Sequence, residues 1–164
     1  MPAGNVSLLI GDVRDQLRTI SPRSVQTCIT SPPYWGLRDY GVAGQIGSEK
    51  TPEEFIAIMV DVFRLVRDTL RDDGTLWLNL GDSYAQDTKW GGTSGGKHAK
   101  GLHGSTGIGR NRTNSGLPPG SQCLMPHRVA MALQADGWIL RSTVIWCLSG
   151  GSWLYARTVK GDAP

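Results

Sequence analysis

The sequence has 164 residues, 39% of them hydrophobic, which predicts about one domain with a hydrophobic core. No apolar run approaches the ~20 residues that a membrane span needs, and no signal-peptide pattern opens the chain, so we expect a cytoplasmic protein without a membrane partner. A net charge of +3 weakly favours a polyanionic partner, and three widely spaced cysteines argue against a disulfide framework and a zinc site.

Two strands and a short helix are predicted at the start of the chain. Residues 7–12 read Ser-Leu-Leu-Ile-Gly-Asp, an apolar run typical of a strand, and the apolar spacing over 13–20 predicts a short helix. Residues 25–29 form a β-branched run that predicts a second strand. Residues 31–33, Ser-Pro-Pro, end that strand, because proline cannot donate a backbone hydrogen bond and holds its predecessor extended.

The stiff loop after the second strand carries groups suited to a planar ligand that contains nitrogen. Open α/β sheets bind ligands at the carboxyl ends of their strands. The hydroxyl and carbonyl oxygens around Ser31 can accept hydrogen bonds from an exocyclic amine, and Tyr34 can stack on a ring. The alternative interpretation is a rigid Pro-Pro turn with a packed tyrosine.

The middle of the chain predicts a strand–helix–strand unit. Residues 51–54, Thr-Pro-Glu-Glu, form a capping box with proline at the first helical position, and an apolar stripe follows. Residues 72–74, Asp-Asp-Gly, end this helix, and the next strand leads to 79–82, Asn-Leu-Gly-Asp. A crossover of this length implies parallel strands. A further helix is predicted over 126–135 and a further strand over 137–146.

A basic, glycine-rich segment lies between the strand–helix–strand unit and the helix predicted over 126–135. No Asp or Glu occurs from Thr88 to Ala135, and ten of the thirty residues from Gly91 to Gly120 are glycine. We predict a mobile loop over about 86–121, since such a sequence buries too little apolar surface to fold. It is either a linker or, as we favour, a segment that binds DNA phosphates. Its candidate DNA-binding cations are Lys89, Lys97, Lys100, Arg110 and Arg112.

The motif Thr-Ser-Pro-Pro-Tyr-Trp at 30–35 resembles the catalytic motif of the DNA amino-methyltransferases, which methylate cytosine N4 or adenine N6. Three more segments resemble this family in the expected order: the Gly-Asp run at 7–12, the strand ending in Asn-x-Gly-Asp at 74–84, and the strand region at 137–146. The resemblance implies an α/β fold with a Rossmann-like methyltransferase sheet. It also implies a bacterial or phage-encoded enzyme that acts on double-stranded DNA.

The resemblance implies a site that transfers a methyl group from S-adenosylmethionine to the amine of a flipped base. Serine at the first motif position favours cytosine N4; adenine N6 is the alternative. The implied catalytic residues are Ser31, Pro32, Pro33 and Tyr34. The implied donor-binding residues are Asp12, Ser31 and Pro32. Trp35 is assigned to DNA binding as a wall of the base pocket, with a simple core role as the alternative.

One part of the family pattern is missing. The donor is held in this family mainly by a glycine-rich Phe-x-Gly-x-Gly turn, and no such turn occurs in the sequence. Residues 1–146 therefore resemble only the catalytic half of the domain, in the family order that places the catalytic motif first. We expect this half alone to be inactive, and a non-catalytic DNA-binding fragment is the alternative.

The end of the chain departs from the family after Trp146. The sequence Cys-Leu-Ser-Gly-Gly-Ser from Cys147 resembles the start of an intein, with Cys147 as the nucleophile of an N-to-S acyl shift. The alternative is a divergent family loop with an ordinary cysteine. If 147–164 is a truncated intein start, we expect this tail to pack poorly on the sheet.

Overall fold

The computed structural model describes residues 4–37, 40–85, 115–148 and 151–160, with the backbone alone for 146–148 and 151–160. Three helices and four strands lie in these ranges, and no described helix is long and apolar enough to cross a membrane. The elements in chain order are α1 (Val13–Thr19), β1 (Val25–Thr30), α2 (Pro52–Thr69), β2 (Leu70–Leu80), α3 (Met125–Ala135), β3 (Trp138–Leu148) and β4 (Gly151–Lys160).

The four strands form one mixed sheet in the order β1-β2-β4-β3. β1 and β2 are parallel, as the strand–helix–strand pattern predicts, and β4 is antiparallel to both β2 and β3. The carboxyl ends of β1 and β2 therefore meet at one edge of the sheet. The loops that follow Thr30 and Leu80 lie there, and they carry the candidate site.

The helix α2 begins and packs as its sequence predicts. The Thr51 hydroxyl oxygen accepts a hydrogen bond from the Glu54 backbone N–H at 3.2 Å, and the Glu54 carboxylate accepts one from the Lys50 N–H at 3.0 Å. The first bond satisfies one of the N–H groups that a helix start leaves without partners, and the second ties the residue before the N-cap to the first turn. The helix ends at Thr69, before the predicted stop at 72–74, because the chain turns extended at Leu70 and enters β2 directly.

The hydrophobic core lies between the sheet and the helices α2 and α3. Alternate β2 side chains point into it, as expected for a strand with one buried face. The core side chains from these elements and their loops include Trp35, Phe55, Met59, Phe63, Leu76, Leu78, Val129, Leu133 and Trp138. The edge strand β1 is less covered, since Ile29 is 80% exposed.

The predicted strand at 7–12 is wrong. Residues 4–10 have no regular structure, and Leu8 and Ile10 are 81% and 80% exposed. A strand is stable only when a neighbour pairs with it, and no described strand pairs with this segment. Asp12 caps the helix that follows, so the predicted short helix is present as α1.

The tail does not lie apart from the sheet. Gly151–Lys160 forms β4, whose backbone pairs with β2 from Thr75 to Leu80 and with β3 from Trp138 to Leu148. The expectation that the tail associates poorly with the sheet is therefore wrong for the backbone of 151–160, which is hydrogen-bonded to a strand on each side. The resemblance of Cys147 to the first residue of an intein is a separate hypothesis and stays a prediction.

Candidate active site

The loop after β1 has the form that its prolines impose. Residues 31–34 have no helical or strand hydrogen bonding and follow β1 at its carboxyl end. Ser31 is exposed, and Pro32, Pro33 and Tyr34 are half-buried. The hydroxyl oxygens of Ser31 and Tyr34 are 3.1 Å apart and share a hydrogen bond. The structure thus brings the four predicted catalytic residues together on one accessible loop.

Trp35 belongs to the core rather than to a binding surface. It is 1% exposed and packs with the side chains under the sheet, and its indole N–H donates to the Glu49 carbonyl oxygen at 3.0 Å. A side chain without an open face cannot stack on or contact DNA. The predicted DNA contact of Trp35 is therefore wrong, and the alternative core role is correct. The buried Trp35 side chain anchors the carboxyl end of the loop to the core.

The segment 44–49, which contains a turn at 46–47, supports the Ser31–Tyr34 loop from one side. The Gly36 N–H donates to the Gly47 carbonyl oxygen at 2.8 Å, and the Gly47 N–H lies 3.1 and 2.9 Å from the two Glu49 carboxylate oxygens. Gly47 has φ +97°, and a Cβ there would lie 2.9 Å from the Tyr34 carbonyl oxygen. Only glycine fits both demands. This turn is absent from the sequence-based predictions, although glycine two residues before a glutamate and a capping box was a usable signal.

The end of β2 braces the same loop from the other side. The Ser83 hydroxyl donates to the Trp35 carbonyl oxygen at 2.7 Å. Its neighbour Asp82 accepts backbone N–H bonds from Leu124 at 3.1 Å and from Met125 at 2.8 Å, at the start of α3. Asp82 thus caps α3 and fixes Ser83 beside the loop. From the sequence, the residues at the end of β2 are identified only by their resemblance to the family, and no positioning role is predicted for Asp82 or Ser83.

Asp12, a predicted donor-binding residue, lies at the start of α1. Its carboxylate accepts bonds from the Arg14 backbone N–H at 2.8 Å and from the Arg14 guanidinium at 2.9 and 2.7 Å. These hydrogen bonds hold the pKa of Asp12 at about 2, below its ordinary 3.8. The carboxylate is accessible and charged at neutral pH, so it keeps acceptor positions for a ligand. Its donor-binding role stays a prediction.

The predicted DNA-binding cations fall outside the described residues: Lys89, Lys97, Lys100, Arg110 and Arg112. The described residues that flank them pair with each other. Ala85 donates a backbone hydrogen bond to Ser121 at 2.8 Å and accepts one from Gly120 at 2.9 Å. Ala85 follows shortly after Leu80, the last residue of β2, whose carboxyl end lies at the same edge of the sheet as that of β1.

Cysteine thiols and side chains able to bind metals are two further kinds of reactive group in the described residues. The described residues contain no group of His, Cys, Asp and Glu side chains that could hold a metal ion. Burial raises the pKa of the Cys28 and Cys123 thiols, which keeps both in the neutral, less reactive form.

Residues 25–160 match the family model described as DNA methylase, whose members are the N6 and N4 amino-methyltransferases. The chain is 47% identical over 143 residues to the type II methyltransferase M.SmaI of Serratia marcescens. It is 43% identical over 141 residues to M.XycI of Xanthomonas campestris pv. cyanopsidis. Each alignment covers 85% of this chain but only 46% and 45% of the relative.

Solved methyltransferase structures share the fold. The PvuII DNA methyltransferase, a cytosine-N4-specific enzyme, superposes with a TM-score of 0.59 at 14% identity, over 94% of this chain and 49% of that one. TTHA0409 of Thermus thermophilus, solved in complex with S-adenosyl-L-methionine, gives 0.58 at 18% identity, over 94% and 53%. The chain thus spans about half the length of each of these four proteins. The family match over 25–160, with this loop at the carboxyl end of β1, establishes that the chain belongs to the N6/N4 amino-methyltransferase family of DNA methylases.

Proposed function

We propose that this chain is the catalytic half of a cytoplasmic bacterial or phage DNA methyltransferase. The complete enzyme transfers a methyl group from S-adenosylmethionine to the exocyclic amine of a flipped base, with cytosine N4 favoured. The observation that carries the proposal is the Ser31–Tyr34 loop, braced by Gly47 and Ser83 at the carboxyl end of β1. An amine inside a DNA duplex is out of reach of such a loop, so the base must leave the stack.

The loop residues position the amine and stabilise its charge. The Ser31 hydroxyl and the Pro32 carbonyl oxygen accept hydrogen bonds from the two N–H groups of the amine, which aims the nitrogen lone pair away from the loop. The same oxygens stabilise the positive charge that develops on nitrogen as it is methylated. Tyr34 stacks on the base and holds its plane. Fixed acceptors of this kind accelerate the reaction through orientation and proximity.

Ser31 and Asp12 are the residues that we propose for one wall of a donor site. Ser31 is exposed at the sheet edge, and the accessible Asp12 carboxylate is charged at neutral pH. When bound, S-adenosylmethionine supplies an electrophilic methyl group. The remaining walls of the proposed site correspond to the part of M.SmaI that this chain does not span, since the match covers 46% of that relative.

Cytosine N4 is favoured over adenine N6 on one residue. Ser31 stands where family members that act on adenine more often carry Asp or Asn. The fold accommodates cytosine chemistry, because the PvuII enzyme of the same fold is cytosine-N4-specific. The preference for cytosine rests on family habit and has no decisive physical cause in the loop.

A chimaera tests the proposal. The part of M.SmaI that aligns with this chain, 46% of that protein, is replaced by the aligned part of this chain, and M.SmaI itself is the positive control. We expect the chimaera to transfer tritium from a methyl-labelled donor to DNA, and hydrolysis of the DNA to yield labelled N4-methylcytosine.

Three results would contradict parts of the proposal. Labelled N6-methyladenine would overturn the choice of base. A chimaera that unfolds cooperatively and binds the donor but transfers no label would overturn the catalytic role. Binding of DNA by the chimaera without donor binding or transfer would favour the alternative, a DNA-binding module that uses its basic loop and Tyr34 only for contact.

A further inference from the structure

We propose that Glu49 is a positioning residue for the proposed methyl transfer. It does not touch the base. It holds Gly47 against the backbone of residues 34–36 and so fixes the direction in which Ser31 and Tyr34 face the amine. The inference rests on the proposed function for its consequence in catalysis, but the bracing itself is a property of this chain.

Glu49 contacts the turn through its side chain and Trp35 through its backbone. Its carboxylate oxygens lie 3.1 and 2.9 Å from the Gly47 N–H, and its carbonyl oxygen accepts from the Trp35 indole N–H at 3.0 Å. A bond between a carboxylate and a backbone N–H is charge-assisted and stronger than a neutral one. One residue therefore sets the position of Gly47 relative to Trp35.

Gly47 transmits this position to the catalytic loop by direct contact. Its carbonyl oxygen accepts from the Gly36 N–H at 2.8 Å. An ideal Cβ on Gly47 would lie 2.9 Å from the Tyr34 carbonyl oxygen and 3.2 Å from the Pro33 Cβ, so the turn lies flush against the loop. A shift of Gly47 must shift Pro33 and Tyr34 with it, because the contact leaves no gap to absorb the movement.

The loop has a second support that does not depend on Glu49. Ser83 donates to the Trp35 carbonyl oxygen at 2.7 Å from the end of β2, and the Trp35 ring is buried in the core. Loss of the Glu49 carboxylate therefore leaves Trp35 anchored while it frees the turn beside Tyr34. We infer that such a variant folds normally but misaligns the groups that face the base.

The first measurement is steady-state methylation by the M.SmaI chimaera that carries Glu49→Ala or Glu49→Gln. We expect Glu49→Ala to lower kcat by about 10²-fold, the cost of a misplacement near 1 Å, with little change in the KM for DNA or donor. Glu49→Gln keeps an oxygen acceptor for the Gly47 N–H and should recover kcat to within about threefold of the parent. Gly47→Ala should reproduce the loss, because its Cβ meets the Tyr34 carbonyl.

The second measurement needs no catalysis and uses the 164-residue chain itself. Glu49→Ala should speed amide hydrogen exchange at Gly36 and Gly47, while the amides of β2 and the unfolding midpoint stay unchanged. Asp61→Ala is the matched control, since its carboxylate pairs with Arg64 on α2, away from the loop. It should alter neither the exchange rates nor kcat.

The two measurements separate the two proposals. Unchanged exchange at Gly36 and Gly47 would overturn the bracing role whatever the enzyme does. A Glu49→Gln variant as impaired as Glu49→Ala, or a loss that appears in KM alone, would overturn the positioning role in catalysis. If the parent chimaera transfers no label, the proposed function fails, and the exchange rates still decide whether Glu49 braces the loop.

Discussion

Ser31 and Tyr34 share a hydrogen bond, so the roles of hydroxyl and ring must be separated by paired substitutions. In the M.SmaI chimaera, we expect Tyr34→Ala to lower methylation by about 5- to 150-fold, the equivalent of the 1–3 kcal/mol that stacking on one base contributes. Tyr34→Phe keeps the ring and should retain most of the activity. Ser31→Ala removes one positioned acceptor and should lower kcat by about 10²-fold.

Tyr40→Ala is the control for these substitutions, because it removes an exposed tyrosine from the segment that follows the loop. It should leave the rate of label transfer unchanged. Near-parental methylation by Tyr34→Ala would refute the stacking role. A Tyr34→Phe variant as slow as Tyr34→Ala would move the role from the ring to the hydroxyl.

The Asp12 carboxyl predicts an acid-dependent contribution to stability. Its hydrogen bonds to Arg14 lower its pKa from 3.8 to about 2 in the folded chain, so the folded state favours the charged form. This contribution is present above pH 3.8 and is lost as the pH falls through about 2. The unfolding midpoint of Asp12→Asn should therefore lie below that of the parent chain at pH 6.

The difference between the two midpoints should shrink as the pH approaches 2, and thermal unfolding followed by circular dichroism across this range measures it. Asp15→Asn, on the exposed face of α1, is the control and should give a difference that depends less on pH. A gap between Asp12→Asn and the parent that stays constant from pH 6 to pH 2 would show that the carboxyl acts without its Arg14 contacts.

The conformation of the Ser31–Tyr34 loop could be predicted from the sequence, because it is determined by residues of the loop itself. Proline acts on its own residue and the one before it, so Ser-Pro-Pro after an apolar run already specifies a rigid loop. The glycine at 47 could have signalled a turn, but the contacts of Glu49 and Ser83 with Trp35 could not be predicted, since they join residues that are 14 and 48 positions apart in the sequence. The burial of Trp35 was open for the same reason, because it depends on what the fold places over the ring.

At the scale of elements, the sequence predicts those helices and strands that are determined mainly by their own residues. Caps and apolar stripes predicted α2 and α3, and the β-branched run predicted β1. The segment 7–12 failed as a strand because strand formation requires a partner, which composition does not reveal. Gly151–Lys160 was expected outside the sheet on a resemblance of sequence, whereas its backbone pairs with two strands.

The basic segment gives an element-scale prediction about salt. A chimaera without residues 89–114 keeps the paired base at Ala85 and Ser121, so its fold should survive the deletion. We expect weaker DNA binding and a shallower dependence of log Kd on log salt, by about 0.9 for each phosphate that the variant no longer neutralises. Fluorescence anisotropy with labelled duplex DNA at several salt concentrations measures this slope.

A length-matched control shows whether charge or length matters. Replacing the five candidate cations by glutamine keeps the loop and should flatten the slope as much as the deletion does; they are Lys89, Lys97, Lys100, Arg110 and Arg112. An unchanged slope in both variants would show that the segment is only a linker.

At the scale of the molecule, β1 is an edge strand of the described sheet. β1 has a neighbour on one edge only among the described strands, Ile29 is exposed, and the apolar run from Leu8 to Ile10 lies uncovered nearby in sequence. The relatives are about twice as long as the segment that this chain matches. These observations support an incomplete donor site: calorimetric titration of S-adenosylmethionine should show no tight binding to this chain and clear binding to the chimaera. Tight binding to the chain alone would refute the proposal of a half-site.

The position of β4 makes the integrity of the sheet depend on the tail. In the order β1-β2-β4-β3, β4 is the one neighbour of β3 among the strands that the structure describes, and β3 carries the buried Trp138. A chain that ends at Leu148 should therefore lose cooperative unfolding or have its midpoint lowered by more than about 10 °C, because β2 and β3 lose their shared neighbour. A chain that ends at Lys160 is the control and should unfold as the parent does. Near-ultraviolet circular dichroism during heating, with dye binding to exposed apolar surface, measures both. If the chain that ends at Leu148 unfolds like the parent, the pairing of β4 with β2 and β3 contributes little to the stability of the sheet, and the dependence proposed here is refuted.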